Sequence, residues 1–188
     1  QHAADLVGAS LVSSVPIRIE ARMDPLGGNA TSANLGSAGS VGVHRDFAGA
    51  PVANTWYAAA LANKLSGEDL DPTHADIDAR FNSDVDNATV LGATSWYYGL
   101  DGNTDTNDID FVAVVTHELV HGLGFTSLVD LATGAKAGGY DDAYMRHLEH
   151  HGATPSSYPA MSNTQRVAAS KAETNLHWTG PAAVAAAG

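Results

Sequence analysis

The stretch IDFVAVVTHELVHGLGF, residues 109–125, decides how the rest of the chain is interpreted. Apolar side chains dominate residues 109–123 and predict a strongly apolar helix. Gly122 and Gly124 are placed to terminate it, because glycine is the residue most often found just past the end of a helix.

The predicted helix carries two histidines four residues apart and a glutamate directly after the first. Side chains at i and i+4 project from the same face of a helix, so His117 and His121 can both direct ring nitrogens at one ion. Glu118 lies about 100° further round the helix. A glutamate there stands near a metal-bound water rather than on the metal, where it can act as a general base. This is the H-E-x-x-H pattern of zinc metallopeptidases.

Composition excludes several classes of partner. The 188 residues include nine Lys+Arg against twenty-one Asp+Glu, for a formal net charge of −12. Nucleic acids and anionic membrane surfaces need clustered cations, and none are present. The chain contains no cysteine, which excludes disulfides and thiolate zinc sites. No stretch approaches the ~20 apolar residues of a membrane-spanning helix, so no membrane insertion is expected.

Hydrophobic patterns predict an α+β fold with an N-terminal lobe over about 1–125 and a smaller C-terminal lobe over about 126–188. Together the lobes form a single catalytic domain over 1–188. The predicted strands cover 15–21, 77–81 and 90–98; the other predicted helices cover 54–65, 140–151 and 162–173; and residues 24–42 are predicted to be a long loop.

Over residues 109–125 the sequence resembles the zincin metallopeptidases. The resemblance implies a zinc site, endopeptidase activity, and a twisted mixed sheet packed on the active-site helix, beside a mainly helical C-terminal lobe. In zincins an edge strand of the sheet usually binds substrate in extended form. By that analogy ATSWYY, residues 93–98, is the candidate edge strand, with an ordinary core strand as the alternative.

A looser resemblance extends to secreted bacterial zincins. It rests on the segments PIRIEAR (16–22), FNSDVDN (81–87), WYYGLDG (96–102) and NLHWTGP (175–181). Those proteins are often larger and carry appended domains, so the chain is expected to be the catalytic part. A sequence that begins at Gln1 rather than Met also suggests a processed, exported product. We therefore expect a secreted protein that acts as a monomer.

A catalytic zinc site needs a third protein ligand. In the metzincin pattern, Gly124 fits but the ligand position holds Ser127, which is a poor zinc ligand. The segment GGYDDAY, residues 138–144, resembles part of the aspzincin signature Gly-Thr-x-Asp-x-x-Tyr, with Gly139 in place of the threonine. This resemblance implies Asp141 as the zinc ligand and Tyr144 as a hydrogen-bond donor to the oxyanion. The alternatives for the third ligand are Asp142, Glu149, His147, His150 and His151.

The acidic segment DGNTDTNDID, residues 101–110, places oxygen-bearing side chains at alternate positions. Such spacing can surround a calcium ion. The pattern departs from an EF-hand, because Thr106 stands where glycine is expected and Val112 where glutamate is expected. A turn-rich loop with a helix cap is the favoured interpretation, and a calcium site is the alternative.

These observations predict a zinc-dependent endopeptidase whose partner is a protein or peptide substrate. His117, His121 and Asp141 would bind zinc, Glu118 would be the general base, and Tyr144 would stabilise the oxyanion. One alternative is a metal-binding module without catalysis. Another is a calcium-dependent interaction or adhesion domain in which the acidic segment matters more.

Overall fold

The computed structural model of the chain describes residues 1–172 and 174–187, so the last residue of the helix predicted over 162–173 lies outside the described residues. In chain order the strands are β1 (Ile19–Asp24), β2 (Gly36–Ser40), β3 (Val43–His44), β4 (Thr55–Ala58), β5 (Ile77–Asn82), β6 (Trp96–Tyr97), β7 (Ile109–Asp110), β8 (Asp141–Asp142), β9 (Leu148–His150) and β10 (Leu176–Trp178). The α-helices are α1 (His2–Ala9), α2 (Ala59–Ser66), α3 (Phe111–Gly122), α4 (Asn163–Ala169) and α5 (Pro181–Ala187).

The first of two compact units comprises Gln1–Val43 and Ala58–Phe125. Its main sheet has the order β1-β5-β2, with β1 parallel and β2 antiparallel to β5. Three alternate residues of β5, Ile77, Ala79 and Phe81, are almost fully buried. Alternate residues of a strand share one face. Helix α3 packs against β2 and β5, so the sheet supports the helix that carries the histidines.

Gly122 lets the end of α3 approach β5 closely. A Cβ atom at this position would collide with the side chain of Ile77. Packed interiors tolerate such overlap only by shifting backbone or side chains. Gly122 therefore has a packing role on the helix, in addition to any role in ending it.

The second unit comprises His44–Tyr57 and Thr126–Gly188. Within it β4 pairs in parallel with β8, and β9 pairs antiparallel with β10. Its core consists of Val129, Met145, Leu148, Tyr158, Met161 and Ala169. Arg166 is also buried, and its guanidinium donates to the carbonyl oxygens of Gly134 and Met161 and to the side chain of Asn163. These bonds satisfy the guanidinium N–H groups, because burying them without acceptors would destabilise the fold.

The predicted mixed α+β class is confirmed, and the sheets are small. The prediction of a helix over 140–151 is wrong, because this segment forms β8, a 3₁₀ turn at Met145–His147 and β9. The Asp142 carboxylate explains the difference. It accepts hydrogen bonds from the backbone amides of Leu128 and Met145, which fixes a non-helical path. The second unit is consequently mixed rather than mainly helical.

Two further predictions differ from the structure. The helix predicted over 54–65 begins as strand β4 and becomes helical only at Ala59. The loop predicted over 24–42 contains β2, whose sequence GSAGS lacks the apolar alternation of a typical strand. Among the described residues, no helix is long and apolar enough to cross a membrane.

Candidate metal centre

Helix α3 is capped two or three residues later than the sequence suggests. Asn107 and Asp108 are the sequence candidates for the cap, but the side chain of Asp110 accepts the hydrogen bond, from the Ala113 amide at 3.0 Å. The first helical residue, Phe111, packs edge-to-face on Phe81 and Trp96. Capping and aromatic packing therefore fix the start of the helix on the sheet.

His117 and His121 direct ring nitrogens toward each other. Their Nε2 atoms are 3.0 Å apart, and the two rings are nearly perpendicular. Since this separation is shorter than twice the ~2.0–2.1 Å bond from zinc to a histidine nitrogen, one ion can contact both atoms. His117 is exposed and His121 is partly buried, so the pair is accessible from solvent.

A second contact defines the proton position on His121. Its Nδ1 atom lies 2.9 Å from the carbonyl oxygen of Phe125. A carbonyl oxygen can only accept, so Nδ1 carries the hydrogen and the neutral ring leaves a lone pair on Nε2. This is the tautomer that a metal ligand needs, and such contacts commonly orient metal-binding histidines. Without metal, the same lone pair can accept a hydrogen bond from the Nε2–H of His117.

The Glu118 carboxylate is anchored on the sheet. Its Oε2 atom accepts a hydrogen bond from the backbone amide of Ala38 on β2, at 2.9 Å. The histidine pair and Glu118 thus occupy adjacent parts of the α3 surface, and Glu118 faces the strand. Sequence reasoning did not find Ala38, because a backbone amide leaves no signature in the side chains and β2 was predicted to be loop.

The sequence candidates for the third ligand all lie in the second unit. Asp141 is paired with two cations: Lys136 Nζ lies 2.6 Å and Arg146 Nη1 lies 3.1 Å from its oxygens. Asp142 is buried and also accepts from the Ser127 hydroxyl at 2.9 Å. Burial raises the pKa of the Asp142 carboxyl, and the amides of Met145 and Leu128 oppose that rise. Asp142 therefore serves as the structural anchor of this segment.

Tyr144, the proposed oxyanion donor, and the ligand candidates Glu149 and His151 contact neighbouring residues of the second unit. Tyr144 stacks on Trp178, and burial raises the pKa of its phenol, with a further rise from the charge of Asp142. Glu149 lies opposite His177 in the β9–β10 pairing, and His151 stacks on His177. Across residues 1–172 and 174–187, no group of three His, Cys, Asp or Glu side chains is assembled that could hold a metal ion.

The acidic segment 101–110 forms local hydrogen bonds. Asp101 accepts from the Tyr97 hydroxyl and from the Asn103 amide, and Asp105 accepts from the Asn107 amide. The bond from Tyr97 is the largest cause that lowers the pKa of Asp101 to about 2. These are the Asx-type turns that the favoured interpretation anticipates.

Searches of curated proteins and of solved structures found no match to the chain. A family model described as SPBPB7E8-like matches residues 57–179. The match covers well over half of the chain and includes the whole of α3 with both histidines and Glu118. The chain therefore belongs to the SPBPB7E8-like family.

Proposed function

We propose that the protein is a secreted zinc-dependent endopeptidase. The observation that carries the proposal is the convergence of His117 Nε2 and His121 Nε2 to 3.0 Å, on a helix that also presents Glu118. The Phe125 carbonyl supports it, because it holds His121 in the tautomer with a free Nε2 lone pair. Metal binding alone does not need Glu118, so the presence of this glutamate favours catalysis.

Glu118 is proposed as the general base. Zinc, when bound, supplies Lewis acidity at the scissile carbonyl. Glu118 would accept a proton from the attacking water and return it to the leaving nitrogen. The residue is partly buried and reaches the sheet edge at Ala38. Glu118 directly follows His117 in the helix, so a change of its side-chain conformation could turn the carboxylate toward the histidine pair.

The substrate is proposed to be an extended peptide that lies along β2. This strand is the terminal strand of the order β1-β5-β2 and packs against α3. The segment 93–98, favoured from sequence, contributes only the two-residue strand β6, which pairs with β7 in a separate sheet. A strand edge offers unpaired backbone groups to an extended chain, so β2 replaces 93–98 in the proposal.

The third zinc ligand remains a prediction from the sequence resemblance, with Asp141 as the candidate and Tyr144 as the proposed oxyanion donor. Ligation by Asp141 would require its carboxylate to exchange bonds now made to Lys136 and Arg146. Asp142 is less suited, because its oxygens already serve three donors from Ser127, Leu128 and Met145.

The test compares metal content and casein cleavage in the wild type, Glu118→Gln and Glu68→Gln. We expect about one zinc per chain in all three, and cleavage reduced by about 10²–10⁴-fold in Glu118→Gln alone. Glu68 is an exposed residue of the same unit and controls for loss of charge. Zinc in all three proteins without cleavage would leave a metal-binding module, and absence of zinc from all three would contradict the proposal.

A further inference from the structure

The Ala38 amide makes its hydrogen bond outside the sheet. Ala38 lies opposite Ala79 in the register between β2 and β5, yet its N–H donates to Glu118 Oε2 at 2.9 Å. In an antiparallel pair, alternate residues direct both backbone groups away from the partner strand. Ala38 is such a residue, on the outer edge of the terminal strand. The carboxylate oxygen therefore occupies the place that a carbonyl oxygen of a neighbouring strand would take.

An extended peptide that adds to β2 needs the same amide. Strand addition uses the outward N–H and C=O groups of alternate residues, and Ala38 is the central residue of the five in β2. One backbone N–H makes one strong hydrogen bond. Glu118 and the carbonyl oxygen of an incoming peptide consequently compete for a single donor.

We propose, on the basis of the proposed function, that the Ala38 amide holds the Glu118 carboxylate on the sheet edge in the peptide-free protein. An extended peptide that pairs with β2 takes this amide and releases Glu118 toward the histidine pair. The position of the general base is thereby coupled to the arrival of an extended chain. Ala38 acts as a positioning residue through its backbone, and its side chain plays no part.

Amide hydrogen exchange tests the contact without any need for activity. Wild type, Glu118→Gln and Glu118→Ala are compared by NMR at the Ala38 amide. Glutamine retains an acceptor oxygen and alanine does not, so exchange should be about fivefold faster only in Glu118→Ala. The control is the Val41 amide, which donates to the Asp76 carbonyl at 2.9 Å and should not change. If Val41 also loses protection, Glu118→Leu replaces the alanine variant.

Peptide affinity tests the competition. A fluorescent, unstructured casein peptide is titrated into zinc-loaded Glu118→Gln and Glu118→Ala, both of which lack the base. If Glu118 occupies the amide that the peptide needs, the alanine variant binds about fivefold more tightly. The peptide should also restore protection of Ala38 in Glu118→Ala. Weaker binding to the alanine variant would overturn the inference, because it would mean that residue 118 assists peptide binding.

Failure of this inference and failure of the proposed function give different results. If the wild type binds zinc and cleaves casein while Ala38 exchanges equally in all variants, the inference is overturned and the peptidase stands. If Ala38 protection depends on Glu118 but the protein neither binds the peptide nor cleaves casein, the peptidase proposal fails. The release of Glu118 fails with it, and the contact is then a structural link between α3 and β2.

Discussion

Two pairs of neighbouring histidines have similar ring separations and opposite geometries. The rings of His117 and His121 in the first unit are 4.6 Å apart at 85°, and their Nε2 atoms converge. Those of His151 and His177 in the second unit are 4.2 Å apart at 25°, so their faces stack. Nitrogen lone pairs lie in the ring plane, and stacked rings do not direct them at one point. The distance between two histidine rings therefore does not indicate a metal site unless their nitrogens also point at a common position.

The orientation in the first pair has identifiable causes. The spacing of four residues on α3 places both side chains on one face, and the Phe125 carbonyl fixes the His121 ring. The second pair lies on β10 and just after β9, where the pairing of two strands brings the rings together face to face. Substitutions in each pair, and more widely in each unit, can separate these two situations.

The largest effect is expected from removing one histidine of each pair. His117→Asn should lower zinc affinity by more than about 10²-fold, because loss of a ligand costs more than loss of its supporting contact. Casein cleavage should fall with it. His177→Asn, at an exposed position, should leave both unchanged. Metal titration followed by activity assay checks both variants. Equal losses in the two variants would show that the stacked pair also binds the metal.

The carboxylates of Asp142 and Glu118 accept different numbers of hydrogen bonds. Asp142 serves two backbone amides and one hydroxyl in a buried site, whereas Glu118 serves one amide. Asp142→Ala should destabilise the protein by about 3 kcal/mol, because it leaves these buried donors unpaired. Urea unfolding measures the change, and zinc content should be retained in the folded protein. Loss of zinc before unfolding would instead identify Asp142 as the third ligand.

Alanine substitutions at two helical glycines should change the free energy of unfolding by smaller amounts and in opposite directions. Gly122→Ala should destabilise by about 1–3 kcal/mol, since the new methyl collides with Ile77. Gly8 on α1 borders a cavity of about 300 Å³, and a methyl there meets nothing within 4 Å. Gly8→Ala should therefore stabilise by about 0.5 kcal/mol through helix propensity. Thermal unfolding of both variants checks the signs. Equal effects would indicate that α3 does not approach β5 closely.

The sequence predicted the parts of the molecule whose signals are local. Helix α3 and the His117–Glu118–His121 pattern follow from periodicity and spacing within one segment. The strands of 140–151 could not be predicted, because they depend on Asp142 contacting Leu128 from a distant part of the chain. Strand β2 was missed because glycine and serine give no alternation, and its pairing with β5 alone makes it a strand. Ala38 could not be found for a stronger reason: every residue except proline supplies a backbone amide.

The smallest effect is expected in the acidic segment 101–110 of the first unit. Hydrogen bonds, chiefly from the Tyr97 hydroxyl and also from Asn103, lower the pKa of Asp101 from 3.8 to about 2. These bonds therefore favour the folded state above pH 4, and their contribution is lost as the pH falls from about 4 to about 2. Tyr97→Phe should raise the pKa of Asp101 only partway to 3.8, because the Asn103 amide still donates to it. An NMR titration of the Asp101 carboxyl measures the shift. Tyr98→Phe removes a hydroxyl that donates to Asp86 instead, and should leave Asp101 unchanged. An unchanged midpoint in Tyr97→Phe would mean that backbone donors alone organise the loop, as expected of simple Asx turns.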